Sequence, residues 1–154
     1  MENKNSTISN IFYNYGYHLA WVPALVAMFG SLYFSEVKGF IPCTLCWYQR
    51  ILMYPLSVII LVGIIKQDEF LPTYVLPFSI VGIGVSSYHY LLQTGVLSDA
   101  TTCSTGIPCS LRYINWGGFI TIPFLALTAF VMITIIMAAT KWAYKQVEFE
   151  TDTD

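Results

Sequence analysis

Pro42-Cys43-Thr44-Leu45-Cys46-Trp47-Tyr48-Gln49-Arg50 is the stretch from which the rest of the chain is read. Two thiols three residues apart open a long apolar run, and an arginine follows one turn later. At helical spacing, residues three or four apart lie one above the other, so Cys43, Cys46 and either Gln49 or Arg50 share a face. Pro42 suits the first turn of a helix because it has no N–H to lose there. The positive end of the helix dipole favours a thiolate at such a start. The pattern predicts a dithiol stacked over a fixed cation, which is redox chemistry in need of an acceptor.

Working outward, the composition places this stretch in a membrane. The 154 residues are 56% hydrophobic, 16% aromatic and 10% charged, whereas about a quarter of the residues of soluble domains are charged. Mean hydropathy is +0.61. The net charge of −2 is small, and the acids sit at the two ends and in short connections, so no nucleic-acid partner is expected. The four cysteines form two close pairs. Such pairs suit disulfides, redox pairs or a metal site, and the compartment they face decides between them.

Residues 1–14 are polar and rich in Asn and Ser, and are expected to form a short, weakly ordered tail. From Leu19 to Ser35 the chain carries no charge, and Tyr15, Tyr17 and His18 extend this first span. A cleaved signal peptide is disfavoured, because no cationic cluster precedes the run and no Ala-x-Ala-like site follows it. The second helix is predicted from Cys43 or Thr44 to Ile65, with Arg50 its one charge. Lys66-Gln67-Asp68-Glu69 is so short a turn that the third helix must return antiparallel beside the second. Pro72 and Pro77 lie early in that third run, where they are tolerated. A polar connection from Gln93 to Asn115 holds Cys103 and Cys109, and a fourth apolar run leads to Lys141, Trp142, Lys145 and an acidic tail. The prediction is an all-α integral membrane four-helix bundle and a single membrane domain over 1–154. Its helices are expected at about 15–35, 43–65, 70–92 and 115–140, with tails at 1–14 and 141–154.

Four spans put both termini on one side and both cysteine-bearing connections on the other. Lys4, Lys66, Lys141 and Lys145 flank the terminal side, against Lys38 and Arg112 on the cysteine side. The positive-inside bias therefore predicts cytoplasmic termini and two extracytoplasmic cysteine-bearing loops. Trp47 and Trp116 would then join the outer aromatic belt and Trp142 the inner one.

In the third helix, Ser79, Gly82, Ser86, His89 and Gln93 recur at spacings of three and four, tracing one small and polar stripe. Small residues let membrane helices approach closely, so Ser79, Gly82 and Ser86 read first as a packing seam. His89 lies at a depth similar to that of Arg50, by the rise per residue of a helix. Ionisable groups at that depth are costly and usually face the bundle interior or a polar ligand. A satisfied structural histidine is the bland reading of His89, and snorkelling to headgroups that of Arg50.

Cys103-Ser-Thr-Gly-Ile-Pro-Cys109 encloses Gly106 and Pro108, which suit a bend that lets the two sulfurs meet. So short a loop constrains little chain entropy, so stability is a weak reason for the bond. An exposed disulfide there would exchange readily, which favours a redox role. Four thiolates also suit zinc, but the second spacing is wide and an oxidising side opposes it, so no metal is expected. A c-type haem is disfavoured because Trp47, not His, follows Cys46.

These residues together resemble the DsbB/BdbC family of bacterial disulfide-forming membrane oxidoreductases. The likeness rests on Cys43-x-x-Cys46-x-x-x-Arg50 at the start of the second of four membrane helices and on Tyr48-Gln49-Arg50. It rests also on the Cys103/Cys109 pair between helices three and four and on Tyr88-His89 near the end of helix three. The resemblance covers nearly the whole chain, the tails excepted. It implies location in the bacterial cytoplasmic (inner) membrane among membrane lipid. It implies a DsbA-like extracytoplasmic thioredoxin-fold thiol oxidase as electron donor, and a quinone, ubiquinone or menaquinone, as acceptor. By the same resemblance the partner thiolate attacks the Cys103–Cys109 disulfide at Cys103, and the loop pair passes electrons to Cys43–Cys46. Cys46 would then reduce the quinone, with Arg50 and His89 as quinone-binding residues. The loop between Cys103 and Cys109 is shorter than in the enterobacterial members and is similar to the family's compact forms.

Two other readings compete. Vitamin K epoxide reductase-like proteins also combine a four-helix bundle, two cysteine pairs and quinone, but carry C-x-x-C in the last helix of the bundle. A non-catalytic, disulfide-stapled membrane subunit would tolerate replacement of Cys43, Cys46 and Arg50 with a loss of stability alone.

Overall fold

The computed structural model of the chain describes residues 4–97, 103 and 107–151. Helix α1 spans Lys4–Leu32 and continues into a π-helical turn, Tyr33–Val37. Helices α2 (Thr44–Lys66), α3 (Leu71–Thr94) and α4 (Ile122–Thr151) follow. Each packs on its two neighbours in the cyclic order α1–α2–α3–α4, the up-down-up-down arrangement of a four-helix bundle. All four are long and apolar enough to cross a membrane, over Ile11–Val37, Thr44–Lys66, Leu71–Thr94 and Ile122–Val147. The chain is therefore a multi-pass membrane protein.

Bilayer solvation explains why the helices are apolar all round. Val22, Val26 and Phe29 of α1, Ile51 and Ile65 of α2, Ile80 of α3 and Ile135 of α4 are all exposed on the outside of the bundle. Inside, Ala20 and Ala24 of α1 are fully buried in one core with Leu56, Ile60, Leu71, Val75, Phe130, Ile133 and Met137. The stripe on α3 faces this interior. A Cβ at Gly82 would strike the Phe130 ring of α4, and Thr134 of α4 donates to Ser79 Oγ at 2.9 Å. Ser79, Gly82 and their neighbours thus form the expected packing seam, with α4 as its partner.

Three boundaries depart from the expected ones. The stretch expected as a weakly ordered tail is helical from Lys4, and Tyr13 and Tyr17 pack on Tyr144 of α4 with ring centroids 4.6 and 5.9 Å apart. Residues 1–3 lie outside the described residues. At the other end, α4 runs on past Thr140 to Thr151, because Lys, Glu and Gln are good helix formers and leaving hydrocarbon does not end a helix. Residues 152–154 lie outside the described residues. Finally, α4 starts at Ile122 and not near 115. Trp116 and Ile120 exchange backbone hydrogen bonds across a tight turn, in which Gly117 and Gly118 take φ of +62° and +84°. That left-handed backbone is open to glycine at little cost and keeps the stretch out of the helix.

The turn between α2 and α3 is as short as the sequence demands and is tied by Asp68. Its Oδ1 accepts from Phe70 N at 2.9 Å, its Oδ2 accepts from the Tyr74 hydroxyl, and its carbonyl accepts from Tyr17 of α1 at 3.0 Å. The Tyr74 hydrogen bond, then that from Phe70 N, holds the Asp68 carboxyl below its usual range, with Lys66 adding to the effect.

Candidate active site

Cys43 is the N-cap of α2: its backbone is extended (φ −73°, ψ 172°) and its Sγ accepts from Cys46 N. A sulfur there satisfies one of the orphan N–H groups of the first turn and faces the positive end of the helix dipole. Cys43 and Cys46 are free thiols with their sulfurs 2.8 Å apart. Cys103 and Cys109 are joined in a disulfide, which leaves neither as a thiolate to offer zinc.

The two pairs meet. Cys43, Cys103 and Cys109 are buried in one cluster with Leu45 and Leu92, and Cys46 packs against it. This corrects the expectation of an exposed disulfide: Cys109 is 1% and Cys103 9% exposed. The cause lies at the end of α3, which tacks the loop down. Gln93 Nε2 donates to Leu111 O at 3.0 Å, Arg112 Nε donates to Gln93 O at 2.8 Å, and His89 Nε2 lies 3.2 Å from Cys109 O. Pro108 is exposed in the same stretch, and Gly106, expected to help bend the loop, lies outside the described residues.

His89 is the hub between the pairs. Gln49 Nε2 lies 3.3 Å from its Nδ1, so the amide donates there and leaves Nε2 as the N–H that donates to Cys109 O. Cys43 Sγ is 3.6 Å from the same Nε2. His89 is 1% and Gln49 6% exposed. The expected similarity of depth holds, since His89 meets α2 at Gln49, the neighbour of Arg50.

Arg50 points the other way. Its Nη2 donates to Ser31 O of α1 at 3.2 Å, and its guanidinium lies 5.6 Å from the Trp47 ring centroid. It borders a cavity of about 530 Å³ between α1, α2 and α4, whose boundary also includes Cys46, Gln49 and Tyr54. The walls are otherwise chiefly apolar, among them Val26, Met53, Ala129 and Phe130. Val22, Val26 and Met132 line the cavity and are also exposed on the bundle surface, so it reaches that surface between α1 and α4. Its roof is Phe40 stacked on Tyr113, with ring centroids 4.6 Å apart and Tyr113 donating to Ile41 O at 3.1 Å. Cys43 and His89 do not border this cavity. They border a second one of about 10 Å³, together with Cys46, Gln93 and Tyr113. The dithiol thus stands at a partition: Cys46 borders both cavities and shares the large one with Arg50, whereas Cys43 borders only the small one, beside His89 and the loop disulfide.

Gln49, Ser31, Phe40 and Tyr113 were not singled out from sequence as site residues. Gln49 carried a signal, since it shares a helical face with the cysteines. The Phe40–Tyr113 roof carried none, because nothing local couples residues so far apart in the chain.

The family model described as Disulfide bond formation protein DsbB matches residues 14–140. Disulfide bond formation protein C of Bacillus subtilis is 54% identical over 125 residues, 80% of this chain and 91% of the relative. Probable disulfide formation protein C of Halalkalibacterium halodurans is 54% identical over 117 residues, covering 75% and 85%. Probable disulfide formation protein C 1 of Bacillus anthracis is 44% identical over 122 residues, covering 79% and 88%. No solved structure matches the chain significantly. With a dithiol at the head of α2, a second cysteine pair packed against it and a match that spans all four helices, the chain belongs to the DsbB family of disulfide bond formation proteins.

Proposed function

We propose that the protein is a membrane thiol:quinone oxidoreductase that reoxidises an extracytoplasmic thioredoxin-fold thiol oxidase of the DsbA type, and so supports disulfide formation in secreted proteins. The observation that carries this reading is the partition at the dithiol: Cys46 and Arg50 border the apolar cavity, and Cys43 borders the loop disulfide. The proposed placement is the bacterial cytoplasmic membrane, with cytoplasmic termini and the cysteines outside. The lysine distribution supports this orientation. Within this reading, 1–154 form one membrane domain.

The residues of the large cavity fit a quinone. Its volume lies in the range of small-molecule sites, its walls are chiefly apolar, its reach to the bundle surface suits a lipid-soluble molecule, and one cation, Arg50, and one thiol, Cys46, both border it. Arg50 and Cys46 would hold the ring end, with Met53 and Phe130 among the apolar walls. His89, grouped with Arg50 by resemblance, borders the cysteine side and not this cavity, which favours a role in exchange over contact with the ring. When bound, a quinone supplies an acceptor for two electrons and two protons.

The cycle balances in three exchanges. A partner thiolate attacks Cys103 Sγ and Cys109 leaves as thiolate; the partner's second thiol then displaces Cys103, so the partner dithiol is oxidised and the loop pair is reduced. The loop dithiol next reduces the Cys43–Cys46 disulfide by the same two displacements and is itself reoxidised. Cys43 and Cys46 then surrender two electrons and two protons and close to a disulfide. Arg50 stabilises the Cys46 thiolate and the negative charge that develops beside it. Cys103 is 9% exposed, so attack requires its sulfur to be uncovered, and the His89–Cys109 hydrogen bond is among the contacts that hold the pair down.

The test is turnover of the purified protein with quinone and a reduced thioredoxin-fold donor, followed by Cys43→Ser and Cys46→Ser. Either substitution is expected to abolish turnover while leaving helicity and thermal stability intact. Full activity in either variant would sink the relay, and loss of stability alone would favour a structural subunit.

A further inference from the structure

We propose that Cys43, Cys46 and His89 form, in the dithiol state, a binding site for a thiophilic divalent cation such as Zn²⁺, with the Gln93 side-chain oxygen as a fourth donor. Cys43 Sγ, Cys46 Sγ and a ring nitrogen of His89 all lie within 4.8 Å of one another. In tetrahedral zinc, bond lengths of about 2.3 Å to sulfur and about 2.0 Å to nitrogen put a sulfur and a nitrogen ligand about 3.5 Å apart. Cys43 Sγ and His89 Nε2 are 3.6 Å apart already. The two sulfurs, 2.8 Å apart, must separate by about 1 Å on binding.

Two independent features point to a ligand here. The cavity of about 10 Å³ borders all three residues and Gln93, and a space of that size accommodates about one water or ion. Gln93 is 7% exposed, and its Oε1 is buried with no hydrogen-bond partner among the described residues, while its Nε2 is taken by Leu111 O. A buried amide oxygen left without a donor is costly, and a cation or its bound water satisfies it.

The surrounding groups also suit the chemistry. Metal-ligating histidines donate their other ring N–H to an acceptor that fixes the tautomer. Gln49 stands on Nδ1, and an amide rotation presents its oxygen there in place of the nitrogen. On binding, the two thiols release their protons, the imidazole proton moves to Nδ1, and no electron is transferred. The oxidised Cys43–Cys46 pair offers no such site. The cation would therefore hold the dithiol reduced and away from both the loop disulfide and the large cavity. The binding needs the reduced Cys43–Cys46 pair together with His89 and Gln93, and is independent of the quinone assignment.

Co²⁺ is the probe. The full-length chain carrying Cys103→Ser and Cys109→Ser, so that the loop contributes no thiol, is reduced, freed of reductant and titrated without oxygen. The expected result is one Co²⁺ per chain, with near-ultraviolet thiolate-to-cobalt charge transfer, visible bands of tetrahedral coordination, and stoichiometric displacement by Zn²⁺. His89→Ala in that background weakens binding by about tenfold or more, and His89→Cys restores it with stronger charge transfer from a third thiolate. Absence of the charge-transfer band overturns the site. So does equal affinity with unchanged band intensity in the parent and the His89→Cys variant, which would reduce the feature to a bare two-thiol chelate. The His89→Cys arm decides the matter even where His89→Ala fails to fold.

Discussion

Replacing Arg50 with alanine separates two effects that the structure assigns to different atoms. One is structural: Nη2 donates to Ser31 O at 3.2 Å and the guanidinium lies beside Trp47, so the side chain ties α2 to α1. A hydrogen bond from a charged group contributes about 1.5–3 kcal/mol and an exposed cation–π contact about 0.5–1 kcal/mol. Since Arg50 is only partly buried, the low end of each range applies, and the loss of stability is about 2 kcal/mol. The other effect is functional. Removing the cation that borders the large cavity with Cys46 is comparable, in the proposed mechanism, to removing an oxyanion donor, which costs about 2.7–4 kcal/mol, or about 10²–10³ in rate. With subsaturating quinone this appears as a fall of that size in kcat/KM, and any binding that Arg50 gives the quinone itself adds a raised apparent KM. Exchange between the cysteine pairs, on the His89 side of the dithiol, is expected to be unaffected. Steady-state quinone reduction gives the first quantity, and acid-quenched thiol alkylation in a single turnover gives the second. Arg50→Lys keeps the charge but reaches either Ser31 or the cavity, so an intermediate loss of about tenfold is expected from half of that electrostatic effect. Unchanged quinone dependence in a folded Arg50→Ala protein would refute the reasoning and leave Arg50 as a strap between helices.

Gly82→Leu drives a side chain into Phe130 and is expected to cost about 1–3 kcal/mol, whereas Gly84→Leu meets open space; equal thermal stabilities in detergent would remove the seam. Asp68 has a folded-state pKa below its unfolded value, so its stabilisation is present above the ordinary carboxylate range and is lost as pH falls through the folded pKa. A pH series of thermal stability should therefore show an acid loss in the parent that Asp68→Asn lacks, and parallel curves would contradict the assignment. Cys103 and Cys109 are expected to label from outside intact cells with a membrane-impermeant reagent after reduction. Labelling only after lysis would reverse the orientation.

Reading along the chain recovered the four spans, since hydropathy and turn length are local properties, and placed the start of α2 at Cys43–Thr44. It erred where hydropathy was taken for helicity: the polar ends of α1 and α4 leave hydrocarbon yet stay helical, and Gly117 and Gly118 delay α4 within an apolar run. It also left the loop disulfide exposed. Burial of Cys109 follows from Gln93, Arg112 and His89 tacking the loop to α3, and no composition rule anticipates those bonds.

By itself the sequence determined that this is a four-span membrane chain with a dithiol capping a helix one turn above an arginine. Those facts depend on residues within a few positions of one another. Only the tertiary structure decided which way each group faces. Cys46 and Arg50 border one cavity, while Cys43 and His89 meet the loop disulfide on the other side. The His89–Cys43 contact and the Phe40–Tyr113 roof join residues of different helices and connections, and the packing of the bundle sets their partners. The physical reason is that helical periodicity fixes neighbours along one element, whereas the partner across an interface is chosen by how four apolar surfaces close on each other.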